Sequence, residues 1–161
     1  ERQPHRARLV RNALQGSPGV RGVLAADAIQ PAWPAGAFDR VLVDAPCTGL
    51  GALRRRPESR WRRSPDDLAT LVPLQRALLA GALDSVRPGG LVLYATCSPV
   101  LAETAGVVSS TLAARPDAEL VPLTVAGVPD QDGPLPGTVQ LWPHRHRTDA
   151  MFMAMLRRRH P

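Results

Sequence analysis

The sequence contains no lysine, only two cysteines, and few aromatic residues: three tryptophans, two phenylalanines and one tyrosine. Two cysteines are too few for the disulfide framework of a small secreted protein, and they favour a reducing compartment. We therefore predict a cytoplasmic protein. No apolar run approaches the roughly 20 residues of a membrane-spanning helix, so we predict no association with a membrane.

The positive charge of the chain comes from arginine alone. The formal net charge is +6, and all 20 basic residues are arginines. Alanine and proline are also abundant, so the arginine count reflects a compositional bias and does not by itself indicate a nucleic-acid partner. The positions of the arginines are more informative. The length of 161 residues corresponds to about one domain.

A cluster of arginines surrounds Trp61. It consists of Arg54, Arg55, Arg56, Arg60, Arg62 and Arg63. Such a cluster suits a phosphate backbone, and the tryptophan can stack on a base. We accordingly select RNA-binding candidates, namely Arg54, Arg55, Arg56, Arg60 and Trp61. The alternative is a solvated, charged loop with no partner.

Apolar periodicity and turn residues predict strands that alternate with helices. The predicted helices cover residues 4–15, 64–86 and 101–114. The predicted strands cover residues 20–26, 41–43, 91–95, 118–123 and 150–156. We predict a loop over 47–64, a turn over 87–90 and a long connection over 124–148. Pro73 is expected to kink the second helix. The alternation is typical of an α/β fold with a mostly parallel sheet.

Both cysteines follow short apolar strands. Cys47 comes after the strand that ends at Asp44, and Cys97 comes after the strand over 91–95. In open parallel sheets, ligands bind at the carboxyl ends of the strands. Two thiols at that edge, one of them near an aspartate, indicate reaction chemistry more than a structural bridge.

The motifs around the cysteines resemble those of a known family. They are Asp44-Ala45-Pro46-Cys47-Thr48-Gly49, Arg55-Arg56-Pro57-Glu58 with Trp61, Pro88-Gly89-Gly90, and Thr96-Cys97-Ser98. The chain resembles bacterial RNA (cytosine-C5)-methyltransferases, in particular the RsmB, Sun or Fmu type that modifies small-subunit ribosomal RNA. The resemblance runs through nearly the whole chain, and the two cysteine motifs together are specific.

The chemistry of that family requires a thiol for a physical reason. C5 of cytosine is a poor nucleophile toward a methyl donor, and a thiolate that adds to C6 makes C5 carbanion-like. The thiolate leaves again when a base removes the C5 proton. The thiol needs a lowered pKa, which a strand end facing a basic loop can provide. An acid near N3 of the base stabilises the charge.

The resemblance implies a role for each candidate catalytic residue. Cys97 is the nucleophile, Cys47 resolves the covalent adduct and releases the product, and Asp44 contacts the target base near the donor. Two alternatives stand beside this interpretation. Both cysteines can be small buried hydrophobic residues, or they can form a redox pair, although no Cys-X-X-Cys motif is present.

The resemblance also implies S-adenosylmethionine as methyl donor, and no metal. Asp27 matches the family acid near the adenine, and Glu1 falls where the family has an acid suited to the ribose hydroxyls. Asp44 and Pro46 complete the expected donor contacts. The alternative for Asp27 is a turn residue or a helix cap. For Glu1 the alternative is an acid of no function at the start of the chain.

The fold class implied by the resemblance is a Rossmann-like class I methyltransferase sheet, mostly parallel with an antiparallel last strand. The family sheet has seven strands in the order 3-2-1-4-5-7-6, and residues 1–161 are expected to be a part of this catalytic domain, truncated before strand 3. The glycine-rich donor motif of the family is not found in the sequence. Strands 1 and 2 lie between strands 3 and 4 of the family sheet, so without them strand 3 has no partner and strand 4 has an exposed edge. We therefore expect the 161 residues alone not to fold autonomously and to be inactive, and the full-length enzyme to be a monomer.

The turn after Cys97 departs from the family pattern. Many relatives have two acids and an asparagine there, and this chain keeps only Glu103. Glu103 is interpreted as a cap of the following helix.

Three other functions remain open at this point. The substrate can be tRNA or a different ribosomal RNA cytidine, because in the family it is upstream RNA-binding domains that normally select the RNA. The chain can also be a noncatalytic RNA-binding remnant of the same fold. A DNA cytosine methyltransferase is the third alternative, because that family takes its nucleophile from a Pro-Cys motif like that of Cys47. The pair Thr96-Cys97 argues against it.

Overall fold

The structure is a computed structural model that describes residues 1–160. Its five strands are β1 (Phe38–Asp44), β2 (Val86–Thr96), β3 (Ala118–Val121), β4 (Val139–Leu141) and β5 (Met151–Arg158). Its α-helices are α1 (Pro4–Ala13), α2 (Ser59–Arg62), α3 (Asp67–Ser85), α4 (Ala105–Ala114) and α5 (Pro143–His146). Two 3₁₀ turns cover Leu50–Ala52 and Leu101–Glu103.

The strands form one mixed sheet with the order β1-β2-β5-β3, and β4 also pairs with β5. β1 and β2 are parallel, whereas β5 runs antiparallel to β2, β3 and β4. Only the last strand of the chain therefore runs against the others. The observed order corresponds to the 4-5-7-6 part of the expected family order, and the Rossmann-like fold class is confirmed.

One face of the sheet holds the hydrophobic core. The fully buried side chains Val92, Tyr94 and Leu156 lie between the strands and the helices α3 and α4, and Leu79 and Val107 meet them from those helices. Burying an aliphatic or aromatic side chain of this size contributes about 1.5–3 kcal/mol. Helix α3 presents its leucines at helical spacing and continues through Pro73.

The predicted strand over residues 20–26 is wrong, because this segment has no regular secondary structure. A strand requires a partner for its backbone groups. Within residues 1–160, no strand lies beside the outer edge of β1 to offer such a ladder. The segment keeps one sheet-like contact, in which the amide of Ala26 donates to the carbonyl of Glu1 at 3.0 Å.

Several predicted boundaries also change. The predicted turn over 87–90 lies inside β2, where the left-handed Gly89 (φ 79°) accompanies an irregular register opposite β1. The predicted connection over 124–148 contains β4 and α5, because β5 is long enough to pair with β3 and β4 one after the other. The predicted loop over 47–64 contains a 3₁₀ turn and α2.

The helix predicted over 101–114 is interrupted at Thr104, whose φ and ψ of −115° and −100° are not helical. The interruption has a local cause in the hydrogen bonds of this turn. The carbonyl of Glu103 accepts a hydrogen bond from the hydroxyl of Tyr94 at 2.8 Å, and the side chain of Glu103 is fully buried. Glu103 is therefore not the simple helix cap that the sequence indicated.

Candidate active site

The parallel pairing of β1 and β2 brings the two cysteines together. Asp44 lies opposite Ala95 in the register, and the amide of Ala45 donates to the carbonyl of Ala95 at 2.9 Å. Just beyond these strand ends, the sulfur atoms of Cys47 and Cys97 are 3.5 Å apart. Both cysteines are free thiols and partly buried. The interpretation of the cysteines as two unrelated buried hydrophobic residues does not account for this contact.

The contact between the sulfurs gives the two thiols different acidities. The hydrogen bond from Cys47 lowers the pKa of Cys97 to about 7, against the opposing effects of burial and of the Asp44 carboxylate. The same hydrogen bond, together with burial, raises the pKa of Cys47. The pair therefore loses one proton near neutral pH, and the contact between the sulfurs favours Cys97 as the site of the thiolate.

Gly51 fixes the loop that follows Cys47. Its amide donates to the carbonyl of Cys97, and its carbonyl accepts from the amide of Ala150, both at 2.9 Å. A Cβ atom at this position would lie 2.7 Å from the carbonyl oxygen of Cys97. Three segments thus meet at Gly51, where only glycine fits: the loop after β1, the loop after β2 and the residue before β5.

A buried polar cluster lies behind the cysteines. We define it as Thr48, Gln75, Ser98 and Glu103, all of which are at most 3% exposed. The carboxylate of Glu103 accepts hydrogen bonds from the other three residues. The sequence did not predict that Thr48, Gln75 and Ser98 donate hydrogen bonds to Glu103. Gln75 lies on the apolar face of a predicted helix, and a polar side chain on such a face is the signal that identifies it.

A cavity of about 640 Å³ opens in front of the cysteines. Asp44, Pro46, Cys47 and Cys97 line one part of it, as the sequence analysis expects of the reaction centre. The other expected donor contacts, Glu1 and Asp27, line it as well. The fold therefore brings all six predicted catalytic and donor-binding residues to one cavity.

Glu1 and Asp27, which line this cavity, both accept a hydrogen bond from a nearby backbone amide. A carboxylate oxygen of Glu1 accepts from the amide of Gln3 at 2.9 Å, and this hydrogen bond lowers the pKa of Glu1. Asp27 accepts from the amide of Ile29 at 3.0 Å, so it is a turn residue as well as part of the cavity wall. Arg2 lies 3.6 Å from the second oxygen of Asp27.

The predicted RNA-binding residues occupy different surroundings. Arg56 lines the cavity, whereas Trp61 is 82% exposed on the surface and Arg60 is also exposed. Arg54 and Arg55 are bound to the buried carboxylate of Asp149, and the hydrogen bond from Arg55 lowers the pKa of that carboxyl. Asp149 is therefore an anchor of the arginine cluster that the sequence analysis did not identify.

The described residues show neither a metal cluster nor a membrane span. In residues 1–160, no group of three or more His, Cys, Asp or Glu side chains is arranged to hold a metal ion. Over the same residues, the helices are all too short or too polar to cross a membrane.

The chain is similar to known methyltransferases. The sequence model of the family described as 16S rRNA methyltransferase RsmB/F matches residues 1–157. A putative methyltransferase of Mycobacterium tuberculosis is 55% identical over 98% of this chain and 34% of its own length. The ribosomal RNA small subunit methyltransferase B of Vibrio cholerae is 36% identical over 96% of this chain and 34% of its own length. The chain thus spans about a third of these relatives.

Solved structures with a similar fold cover nearly all of this chain. The crystal structure of the protein PH0851 matches with a TM-score of 0.90 and 35% identity, over 98% of this chain and 36% of that one. The structure of NSun6 from Pyrococcus horikoshii with SFG matches with a TM-score of 0.80 and 26% identity, over all of this chain and 41% of that one. On its sequence and its fold, the chain belongs to the 16S rRNA methyltransferase RsmB/F family.

Proposed function

We propose that this chain carries the reaction centre of an enzyme that methylates C5 of a cytidine in RNA, with small-subunit ribosomal RNA as the substrate class. Cys97 is the nucleophile, Cys47 releases the product and Asp44 contacts the target base. The observation that carries this proposal is the 3.5 Å contact between the two sulfurs at the ends of two parallel strands.

The acidities of the two thiols support this division of roles. With a pKa of about 7, Cys97 is substantially thiolate at neutral pH and can add to C6 of cytosine. The raised pKa of Cys47 keeps this thiol protonated, so it can donate a proton but is a poor nucleophile. The sulfurs are close enough for Cys47 to act at the bond between Cys97 and C6.

The expected reaction uses groups that already face the cavity. The Cys97 sulfur forms a bond to C6, and the electron pair of the C5–C6 double bond moves toward C5 and the N3 side of the ring. We propose that Asp44, which lines the cavity at the end of β1, hydrogen-bonds to that side of the base. C5 then forms a bond to the methyl group as the bond between that methyl group and the donor sulfur breaks. A water molecule in the cavity, acting as the base, takes the C5 proton, the double bond re-forms and the bond between C6 and the Cys97 sulfur breaks, which expels the Cys97 thiolate.

The donor set of the cavity fits S-adenosylmethionine, which would supply the electrophilic methyl group. Glu1 and Asp27 offer carboxylate oxygens to hydroxyl and amino groups, and Asp44 and Pro46 line the same cavity. The ligand SFG in the NSun6 structure is an analogue of this donor, which supports the assignment. We propose no metal in the reaction.

An RNA substrate is supported by the charge at the cavity and by the relatives. Arg56 lines the cavity, and the exposed Trp61 lies on the same arginine-rich segment. The target cytidine would leave its RNA context to enter the cavity, as bases must for such chemistry. With ribosomal RNA as substrate, we expect the full-length protein to act in the cytoplasm as a monomer.

The test of this proposal is the capture of the covalent adduct. In the full-length protein, Cys47→Ala should accumulate a protein–RNA adduct that survives denaturing electrophoresis, because the product is no longer released. The double variant Cys47→Ala/Cys97→Ala should give no adduct.

Two outcomes would contradict the proposal. If the adduct survives the loss of Cys97 and requires Cys47, the two roles are reversed. If no variant forms an adduct with ribosomal RNA, tRNA or an RNA that contains 5-fluorocytidine, the covalent mechanism is wrong and a noncatalytic RNA-binding role becomes the better account.

A further inference from the structure

One buried carboxylate connects both cysteine loops. Glu103 has no exposed surface, and its two oxygens accept four hydrogen bonds. Two of them come from Thr48, one from its amide at 2.8 Å and one from its hydroxyl at 2.6 Å. A third comes from the hydroxyl of Ser98 at 2.6 Å. Thr48 directly follows Cys47 and Ser98 directly follows Cys97, so Glu103 binds the neighbour of each thiol.

Helix α3 supports the same carboxylate from behind. The side-chain amide of Gln75 donates to Glu103 at 3.0 Å and to the carbonyl of Pro46 at 2.8 Å. Pro46 directly precedes Cys47. The Cys47 loop is therefore held on both sides of the cysteine, by Gln75 through Pro46 and by Glu103 through Thr48.

The cost of burying this carboxylate indicates that it has a role beyond stability. An ionised carboxylate without exposure to water loses several kcal/mol of hydration, and hydrogen bonds only partly replace it. Well-packed apolar side chains at Glu103, Thr48 and Ser98 would close the same space without that cost. A set of four convergent donors does what apolar packing cannot: it fixes the geometry of two loops and places a negative charge beside them.

The charged groups around the thiols are distributed unevenly. The charges of Asp44, at the end of β1, and of Asp149, just before β5, oppose the lowering of the Cys97 pKa, and the charge of Cys97 contributes to the raised pKa of Arg55. The charge of Glu103 acts on Cys47. The pKa of Cys47 is raised mainly by its hydrogen bond to Cys97 and by burial, and the charge of Glu103 raises it further.

We propose that Glu103 is a positioning residue of the reaction centre. It holds the Cys47 loop against the Cys97 loop, and its negative charge adds to the contact between the sulfurs in keeping the shared proton on Cys47, so that Cys97 is the thiolate that attacks. This inference rests on the proposed function, because it explains why one of two adjacent thiols is the nucleophile. Gln75, Thr48 and Ser98 act through Glu103.

The test measures the reactivity of each thiol separately. The full-length protein is treated with iodoacetamide between pH 6 and pH 9, and the alkylation rates of Cys47 and Cys97 are read from their peptides by mass spectrometry. Glu103→Gln keeps the size of the side chain and removes its charge. Its amide oxygen can still accept from the amides of Thr48 and Gln75, and the hydroxyls of Thr48 and Ser98, which donate to the other oxygen of Glu103, can rotate to accept from the new amide nitrogen. Glu119→Gln is the matched control, because it removes a carboxylate on β3 that forms ion pairs with Arg157 and Arg159.

We expect Cys97 to be alkylated faster than Cys47 at pH 7 in the wild type and in Glu119→Gln. In Glu103→Gln, the ratio of the two rates should fall at least fivefold, because Cys47 becomes more acidic and shares the proton with Cys97. A purely structural role would lower Tm and leave the ratio within a factor of two of the wild type, and that result would overturn the inference.

A second pair of variants keeps the test valid if Glu103→Gln does not fold. Thr48→Val removes the hydroxyl donor to Glu103 and preserves the branched shape, whereas Thr48→Ser retains the hydroxyl. We expect Thr48→Val to lower the ratio and Thr48→Ser to leave it unchanged. Equal ratios in the two variants would contradict the role of Glu103.

The alkylation assay needs neither RNA nor a methyl donor, so it separates this inference from the proposed function. A changed ratio without a protein–RNA adduct would remove the proposed function and leave the coupling of the thiols to Glu103 intact. A protein–RNA adduct together with an unchanged ratio of alkylation rates would support the proposed function and contradict the role of Glu103.

Discussion

At the scale of single residues, Asp149 shows how the arginine cluster is organised. It is a buried carboxylate that accepts hydrogen bonds from Arg54 and Arg55, directly before the strand that pairs with β2. Two of the arginines that the sequence suggests for RNA thus also have a structural partner. Their side chains remain about half exposed, so they can still approach a phosphate.

Asp149→Asn should therefore destabilise the protein in a pH-dependent manner. The hydrogen bonds from arginine lower the pKa of Asp149 in the folded state, so its contribution is complete above the ordinary carboxyl pKa of about 4 and is lost as the pH falls through the lower folded value. Because the arginines are half exposed, we expect a loss of about 1 kcal/mol at pH 7. Urea unfolding at pH 7 and near pH 3.5 measures it.

The control for this prediction is Asp130→Asn. Asp130 is exposed in a turn with φ of 48°, a conformation that asparagine also adopts. This variant should match the wild type at both pH values. A loss in Asp149→Asn that is equal at both pH values would contradict the assignment, because it would not come from the ionised carboxylate.

At the scale of secondary-structure elements, β1 is paired on one side only. Its inner edge pairs with β2, and within residues 1–160 its outer edge has no strand beside it. Leu42, at the middle of β1, is 65% exposed and lies in register with Leu93 and Met155, on the sheet face opposite α3. Parallel strands are normally covered on both faces. The family resemblance implies that further strands and helices cover this region.

Leu42→Arg tests whether this face is covered in the full-length protein. We expect a lower Tm, corresponding to a loss of about 2 kcal/mol or more, because a charge would be buried without a partner. Leu101→Arg is the control, since Leu101 is exposed to nearly the same extent, 64%, but lies on a surface turn. Equal Tm values for the two variants, measured by thermal unfolding, would show that the face is open to solvent.

The elements also show which parts of the fold a sequence can reveal. Three elements were predicted correctly, because the spacing of their apolar residues alone identifies them as strand or helix. They are β1, α3 and the central part of β2. The strand predicted over 20–26 failed because its pattern says nothing about whether a partner strand is present. β4 was missed because only three residues pair with β5. A segment this short, in a region rich in glycine and proline, has no periodicity to detect.

The candidate site was predictable for a different reason. Cys47 and Cys97 lie in distinctive motifs at strand ends, and parallel pairing brings such ends together regardless of detail. The buried cluster around Glu103 was not predictable, because its members come from four segments and each is a common polar residue. Only the three-dimensional structure shows that Thr48, Gln75 and Ser98 donate to the same carboxylate.

At the scale of the whole molecule, the fold brings the proposed reaction centre and the proposed donor contacts to one cavity. The thiols, Asp44, Glu1 and Asp27 line a single cavity, with Arg56 in its wall. The core under α3 and α4 supports the strand ends from behind. We propose that the full-length protein uses Cys97 to place a methyl group on C5 of a cytidine in ribosomal RNA.

The most direct test is to identify the methylated nucleoside. The full-length protein is incubated with S-adenosylmethionine and unmodified 16S ribosomal RNA, which is then digested to nucleosides and measured by mass spectrometry against chemical standards. We predict 5-methylcytidine with the wild type and none with Cys97→Ala. A methyl group on another atom or base, or 5-methylcytidine that persists in Cys97→Ala, would contradict the account.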